Sequence, residues 1–158
     1  MRGFAYDVVT AVLMADASDV SDAIARAEAL TAIRDSAELL VVIAAFKRMK
    51  NILEQAISRG YEIAPTVQSE DFEEPLEREL SEELALKAEA IKRLSADLHY
   101  AGSLQEIAKF GPLLNRYFES TMIMVPDETV RRKRLGLISR ILKELSPIAD
   151  FSELVTAG

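Results

Sequence analysis

Apolar residues recur at every third or fourth position through most of the chain, which is the spacing that places them on one face of an α-helix. Two polar breaks, Asp16-Ala17-Ser18 and Asp35-Ser36, divide the first part of the chain into three such stretches. Ser18 or Asp19 is placed to cap the second predicted helix, and Asp35-Ser36 to cap the third. Gly60 is placed to end the third helix in a left-handed turn. The residues expected to face the core are Phe4, Val8, Val9, Val12 and Leu13, then Val20, Ile24, Ala27, Leu30 and Ile33, then Leu39, Val42, Ile43, Phe46, Met49, Leu53 and Ile57.

A connecting loop is predicted from Tyr61 to Glu74, with a long fourth helix after it. Pro75 suits the first turn of that helix, because its missing amide hydrogen would have no intrahelical partner there. Ser103 and Glu106 match a capping box for a short fifth helix, which Gly111-Pro112 is expected to end. The core positions expected in the fourth helix are Leu76, Leu80, Leu84, Ile91, Leu94 and Leu98.

Helical spacing resumes after Gly111-Pro112, and Asp127 is the expected N-cap of a last long helix that ends at Ser146-Pro147. The β-branched runs at 41–43 and 122–125 could form strands in another fold, but helical patterns flank both. The sequence therefore predicts an all-α antiparallel bundle of about six to seven helices, forming a single domain over residues 1–158. The remaining core positions expected are Leu113, Leu114, Tyr117, Phe118, Thr121 and Met122, then Val130, Leu135, Ile138, Ile141, Leu142 and Leu145.

Acidic residues are concentrated between Glu70 and Glu83, in a loop and helix start at about 62–83. The chain has a net charge of −7, and this segment holds eight carboxylates against the single cation Arg78. Without the segment, acidic and basic residues are equal in number. Because salt screens charges beyond about 10 Å, the net charge argues against broad nucleic-acid binding but allows a local basic surface. The segment is expected to be solvated, with an interdomain or subunit contact as the alternative.

The residues that most catalytic and metal sites require are missing from the sequence. Cysteine is absent, which excludes disulfides, thiolate zinc sites and cysteine nucleophiles. His99 is the only histidine, and Ala96 stands where a Glu-x-x-His di-iron pair needs a glutamate. His99 is therefore expected on a helix surface, and neither a catalytic centre nor a metal site is predicted in this chain.

The apolar runs and the cysteine content of the sequence also indicate where in the cell the protein is located. No apolar run approaches the ~20 residues that span a bilayer, so no membrane association is expected. Asp7 and Asp16 interrupt the apolar N-terminal stretch, so no signal peptide is expected. The absence of cysteine fits a reducing compartment, and the cytoplasm is the predicted location.

A cationic patch lies on the third predicted helix. Lys47, Lys50 and Asn51 follow its polar face, whereas Arg48 lies beside apolar positions and is expected to be half-buried and structural. Lysines can offset phosphate charge, and an asparagine amide can both donate and accept at a base edge. The first three residues are therefore candidates for contacts with an unstacked RNA loop. An ordinary solvated face is the alternative.

A second basic run, Arg131-Arg132-Lys133-Arg134, falls in the first two turns of the last helix, where cations oppose the helix dipole. The first three of these residues are candidates for phosphate contacts. The fourth is in line with the apolar stripe and could instead form a structural ion pair with Glu119. Tyr61 and Tyr100 are the aromatic candidates for base stacking, with ordinary packing as the alternative.

Several segments resemble the β subunit of bacterial glycyl-tRNA synthetase. In the N-terminal third these are GFAYDVVTAVL, DVSDAIARAEALTAIR and AFKRMKNIL; further along they are Tyr117 to Met124, Arg134-Leu135 and Ala149 to Ser152. The resemblance covers most of the chain except residues 62–108. It is to the C-terminal helical domain of that subunit, which binds the anticodon region. That domain belongs to the class shared with class I arginyl-tRNA synthetases and named after an Asp-Ala-Leu-Arg (DALR) motif, although this tetrapeptide does not occur here.

The resemblance implies a noncatalytic domain, part of a longer β subunit, that binds the anticodon arm of glycine tRNA and supports glycine-tRNA ligation. It implies the rest of the β subunit and the α subunit as partners, and neither DNA nor a membrane. The adenylation site would lie in the α subunit, so ATP, glycine and Mg would be used by the whole synthetase and no cofactor by this chain. Two alternatives stay open: a helical protein–protein interaction module, and the equivalent domain of an arginine-type synthetase.

Overall fold

The computed structural model describes residues 3–15 and 19–156. Within these ranges the chain forms six α-helices, two short 3-10 turns and no strand, which confirms the predicted all-α class. No helix of this part of the chain combines the length and the apolar character needed to cross a membrane. The helices are α1 (Tyr6–Met14), α2 (Val20–Ile33), α3 (Ala37–Ser58), α4 (Pro75–Ala96), α5 (Tyr100–Ser120) and α6 (Glu128–Leu145), and the 3-10 turns are Ser69–Asp71 and Phe151–Glu153.

The helix ends follow local side-chain chemistry. Asp19 caps α2 by accepting a hydrogen bond from the Asp22 amide at 2.7 Å, whereas Ser18 lies outside the described residues. Ser36 caps α3, and Asp127 caps α6. Gly60 follows α3 with φ +71°, the left-handed conformation that glycine adopts without steric cost. These four predictions are confirmed.

α5 lies at the centre of the bundle, where it packs along α3 and α4 and also contacts α2. Only residues 97–99 join α4 to α5, so these two helices form an antiparallel hairpin. α6 packs against α3 and α4, and the Phe151–Glu153 turn packs against α1 and α3. There the Phe151 ring meets the Phe46 ring edge to face, with 5.0 Å between centroids. α3 is therefore held by α5, by α6 and by the C-terminal turn.

The predicted short fifth helix is wrong, because α5 continues through Gly111-Pro112 to Ser120. Pro112 removes one backbone donor, but its ring is exposed and the helix does not end. Gly111 is buried where α5 meets α3: a Cβ atom there would lie 3.2 Å from both the Glu38 carbonyl oxygen and Val42 Cγ2. Gly111 thus permits close helix packing instead of ending the helix.

The predicted capping box of the fifth helix is also wrong. Ser103 is fully buried within α5, where its hydroxyl donates to the Ile91 carbonyl at 3.3 Å and lies 2.9 Å from Ser95 Oγ. Glu106 accepts a hydrogen bond from Lys87 Nζ at 2.7 Å. Both side chains therefore connect α5 to α4 rather than capping a helix.

Several apolar residues expected in the core are exposed, because the apolar stripes run past the buried parts of the helices. Leu13, Val20, Ile57 and Met122 are each more than half exposed. Leu98 is 65% exposed and lies beyond the end of α4 with φ 61°. Four small side chains outside the expected stripes are also buried in the first three helices, namely Ala11, Ala23, Ala45 and Ala56.

Candidate nucleic-acid interface

The exposed face of α3 carries two of the predicted RNA-contact residues. Lys47 is partly buried and Asn51 is exposed, and they are four residues apart, so they lie on the same side of the helix. Within the described residues, no ion pair involves Lys47. Asn51 opens onto a shallow depression of about 300 Å³, whose lining residues are Asn51, Glu54, Gln55, Ser58 and Arg59. This face offers cations, amides and a hydroxyl to a ligand, together with the carboxylate of Glu54.

Lys50 is turned away from this face and toward the C-terminal turn. Its Nζ atom lies 2.9 Å from Asp150 Oδ2 and 2.9 Å from Ser152 Oγ, and the side chain is 40% exposed. Burial alone would raise the pKa of Asp150, but hydrogen bonds from Ser152 and Lys50 outweigh it and lower that pKa below its ordinary value. Lys50 therefore fastens the turn to α3, and its contact with a ligand would have to compete with this ion pair.

Arg48 is exposed, so the expectation of a half-buried side chain is wrong. Its guanidinium carbon lies 5.0 Å from the centroid of the Phe118 ring on α5. The neighbouring α3 residues Ala44 and Ala45 are too small to cover it, so the long side chain extends along the apolar surface with its charged end in solvent.

The basic run at the start of α6 is largely engaged by the rest of the molecule. The Arg131 guanidinium lies over the Tyr61 ring, 3.8 Å from its centroid, and donates to the Val125 and Pro126 carbonyls at 3.3 Å. Arg132 Nε lies 3.1 Å from Glu62 Oε2. These two arginines hold the loop after α3 against α6.

Lys133 borders a recess of about 320 Å³ that is rich in acidic side chains. Asp71, Glu73, Glu74 and Asp127 line it together with Lys133. These carboxylates offset the charge of the basic run where it opposes the dipole of α6. The acidic segment and the basic run, distant in sequence, thus neutralise each other in part.

Arg134 has the predicted structural role, but its partner is Glu77 and not Glu119. Its Nε atom lies 3.2 Å from Glu77 Oε2, and its Nη1 donates to the Met122 carbonyl at 2.9 Å. The residue Glu77 is 3% exposed, and its carboxylate also accepts a hydrogen bond from the Tyr117 hydroxyl at 2.7 Å. Burial, together with this nearby carboxylate, raises the pKa of Tyr117.

Glu77 is a structural residue that the sequence analysis does not predict. It stands three residues before Leu80 and seven before Leu84, both fully buried, so the α4 apolar stripe placed it on the inner face. Glu119 is exposed and accepts a hydrogen bond from the Asn115 side chain at 3.2 Å.

The two tyrosines proposed for base stacking differ in access. Tyr100 is 4% exposed, and its hydroxyl donates to Asp22 Oδ1. Tyr61 is partly buried beneath Arg131. Tyr100 therefore packs in the core, and only Tyr61 borders the basic residues of α6.

Comparison with known families decides the relationship. The model of the DALR anticodon binding domain matches residues 42–149, from within α3 to the residue before Asp150. The chain belongs to the DALR anticodon binding domain family. The family match begins at Val42, so it covers most of α3 and the whole of α4, α5 and α6. Both predicted contact surfaces therefore lie within it.

The sequence matches between this DALR-family chain and curated relatives also include α1 and α2. The chain is 43% identical to a protein named glycine--tRNA ligase beta subunit from Acidobacterium capsulatum, over 98% of this chain and 22% of the relative. Proteins of the same name from Desulforamulus reducens and Magnetococcus marinus are 34% and 31% identical, over 98% and 99% of this chain. The chain spans about a fifth of the length of these relatives, 21% and 22% in the latter two.

Proposed function

We propose that this chain is a noncatalytic tRNA-binding domain that holds the anticodon arm of glycine tRNA and supports glycine-tRNA ligation by a larger synthetase. The match of residues 42–149 to the anticodon-binding family carries this proposal. The name shared by the relatives, glycine--tRNA ligase beta subunit, supports glycine tRNA as the ligand.

The surface of α3 supports RNA binding by an acidic chain. Lys47 and Asn51 lie on one side of the helix, and Arg59 lies at its C-terminal end. None of the eight carboxylates between Glu70 and Glu83 lines the depression beside Asn51. A phosphate backbone could therefore follow α3 without meeting the most acidic segment.

The basic run of α6 has a smaller part in the proposed interface. Lys133 keeps its contact role in the proposal, and Arg131 and Arg132 would contribute mainly by holding the loop that follows α3. Lys50 would likewise contribute by holding the C-terminal turn against α3. The proposed first contacts are therefore Lys47 and Asn51.

The larger assembly belongs to the same proposal. The rest of a β subunit and an α subunit would be the protein partners, in the cytoplasm, with neither DNA nor a membrane involved. ATP, glycine and Mg would be used at a site outside this chain, and the chain itself would bind no cofactor. A single helical domain over residues 1–158 is part of this proposal.

Titration of the chain with glycine tRNA at several salt concentrations tests the proposed function. We expect binding that weakens with salt, and we expect Lys47→Ala to lower the affinity and to reduce the salt slope by about 1. Lys92→Ala, at an exposed lysine of α4, is the matched control and should leave both unchanged.

The outcome of the titration also separates the alternatives. No binding of any tRNA at low salt would contradict the proposal and favour a protein-interaction module. Tighter binding of arginine tRNA than of glycine tRNA would keep the domain class and assign the chain to the arginine type.

A further inference from the structure

A groove between α3 and α5 shares no lining residue with the depression beside Asn51, and it contains none of the predicted contact residues. Arg48, which lines it, was expected to be structural. It encloses about 350 Å³. Its floor and walls are mostly apolar, and the lining residues are Leu40, Val41, Ala44, Ala45, Arg48, Asn115 and Phe118. The groove exists because α3 places two alanines where it faces α5, and larger side chains there would fill the space.

Arg48 forms one end of the groove. Its guanidinium lies against the Phe118 ring, with 5.0 Å from Cζ to the ring centroid. Within the described residues it has no hydrogen bond or ion pair through its side chain. Arg48 is exposed, so its guanidinium, a flat cation beside an aromatic ring, is accessible to a ligand. Guanidinium planes of this kind stack on unpaired bases.

Asn115 lies on the α5 rim of the groove. Its Nδ2 atom donates to Glu119 Oε1 at 3.2 Å, which fixes the orientation of the amide. An oriented amide can read the polar edge of a base that enters the groove. The carboxylate of Glu119 beside it disfavours a phosphate at this rim, so the chemistry suits an uncharged ring.

The groove is continuous with the proposed interface. Arg48 follows Lys47 directly, and Asn51 is three residues further along the same helix, so the groove and the depression adjoin one another on α3. A strand of RNA whose phosphates are near Lys47 would have bases within reach of the groove.

We propose that this groove holds one unstacked nucleobase of the bound tRNA, with the base stacked on Arg48 and its edge facing Asn115. The proposal rests on the proposed function and adds to it a base-binding site. Lys47 and Asn51 would hold the backbone, whereas Arg48 and Asn115 would recognise one base.

Two substitutions test the groove without removing charge. Ala44→Leu fills it from an exposed helical position, and Ala101→Leu, at an exposed position of α5 remote from the groove, is the matched control. Arg48→Lys keeps the charge but loses the flat stacking plane. The probe is glycine tRNA carrying the fluorescent base 2-aminopurine at one anticodon-loop position at a time.

We expect one 2-aminopurine position to change fluorescence on binding, and Ala44→Leu and Arg48→Lys each to abolish that change. Each should weaken binding by about tenfold, the value of one stacked base, while the salt slope stays that of the unsubstituted chain. Ala101→Leu should bind and respond like the unsubstituted chain. Because Ala44 and Arg48 are exposed, the thermal midpoint of each variant should stay within a few degrees of that of the unsubstituted chain. If Ala44→Leu fails to fold, the result for Arg48→Lys alone decides whether the groove binds a base.

The possible failures are distinguishable. If tRNA binds but no position responds, or if the response survives both substitutions, the groove is not a base site and the proposed function stands. If no tRNA binds, both proposals fail together. If Arg48→Lys leaves both the affinity and the fluorescence response intact, only the charge of Arg48 matters, so Arg48 is an ordinary phosphate contact and the base site is overturned.

Discussion

Arg134 on α6 donates to the buried carboxylate of Glu77 on α4, with Nε 3.2 Å from Oε2. The carboxylate also accepts from the Tyr117 hydroxyl, so three helices, α4, α5 and α6, meet at one anion. The side chains of Arg134 and Glu77 are only 13% and 4% exposed. A buried carboxylate of this kind is tolerated only while it is paired and hydrogen-bonded.

Removal of Arg134 should therefore cost much more stability than removal of a surface arginine. We expect Arg134→Met to lower the free energy of unfolding by about 3 kcal/mol, because it leaves the Glu77 charge buried without its cation. The control is Arg116→Met, which breaks the exposed pair with Glu79 and should cost less than about 1 kcal/mol. Urea unfolding of both variants gives the comparison, and equal losses would contradict it.

The pairing of Asp7 with Arg34 predicts a dependence of stability on acid pH. The Arg34 guanidinium donates to both carboxylate oxygens, and this holds the pKa of Asp7 at about 2, below its usual 3.8. Because the folded-state pKa is the lower one, the pair stabilises the fold above the usual value and its contribution is lost as the pH falls toward 2.

We expect Asp7→Asn to lower the thermal midpoint at neutral pH and to differ less and less from the unsubstituted chain as the pH falls from 4 to about 2. Asp35→Asn is the control, because the Asp35 carboxylate is 93% exposed and lies 3.9 Å from the same arginine. A deficit of Asp7→Asn that is constant across this range would show that the ion pair is not its cause.

Two glycines on different helices should respond oppositely to alanine. At Gly136 on α6 a Cβ atom would lie 2.8 Å from the Ala64 carbonyl oxygen and 2.9 Å from Val67 Cγ1, because the loop after α3 packs directly on the helix. At Gly102 on α5 the nearest atom would be Leu94 Cδ2, at the ordinary distance of 3.4 Å.

We expect Gly136→Ala to lower the free energy of unfolding by about 1–3 kcal/mol, because the loop has to shift. Gly102→Ala should raise it by up to about 1 kcal/mol, because alanine is the better helix former. Chemical denaturation measures both. A stabilised Gly136→Ala would mean that the loop moves away from α6 at no cost.

Features that depend on neighbouring residues could be predicted from the sequence. The caps formed by Asp19, Ser36 and Asp127 and the turn at Gly60 each depend on a few consecutive residues, and all four are as expected. The all-α class follows from the spacing of apolar residues, which most of the chain shares.

Features that depend on residues distant in sequence could not be predicted in this way. Gly111-Pro112 has the local pattern of a helix end, and only the contact of α5 with α3 explains why the helix continues. The nearby sequence of α5 offers Glu119 as the partner of Arg134, whereas the actual partner lies 57 residues away on α4. The apolar neighbours of Arg48 in α3 predict a half-buried side chain, whereas its exposure depends on the groove that α5 completes.

The two lysines of α3 offer a last test, because the structure gives them different environments. Lys50 is paired with Asp150, so Lys50→Ala should lower the free energy of unfolding by up to about 1 kcal/mol through loosening of the C-terminal turn. Lys47 has no ion pair within the described residues, so Lys47→Ala should leave stability unchanged.

Affinity for glycine tRNA should show the reverse order, because a lysine already held by a carboxylate gains less from a phosphate. We expect Lys47→Ala to weaken binding more than Lys50→Ala at low salt. Unfolding and binding are therefore measured on the same two variants. If Lys50→Ala gives the larger loss of affinity and no loss of stability, the ion pair with Asp150 yields to the RNA on binding, and Lys50 belongs in the interface as a direct contact.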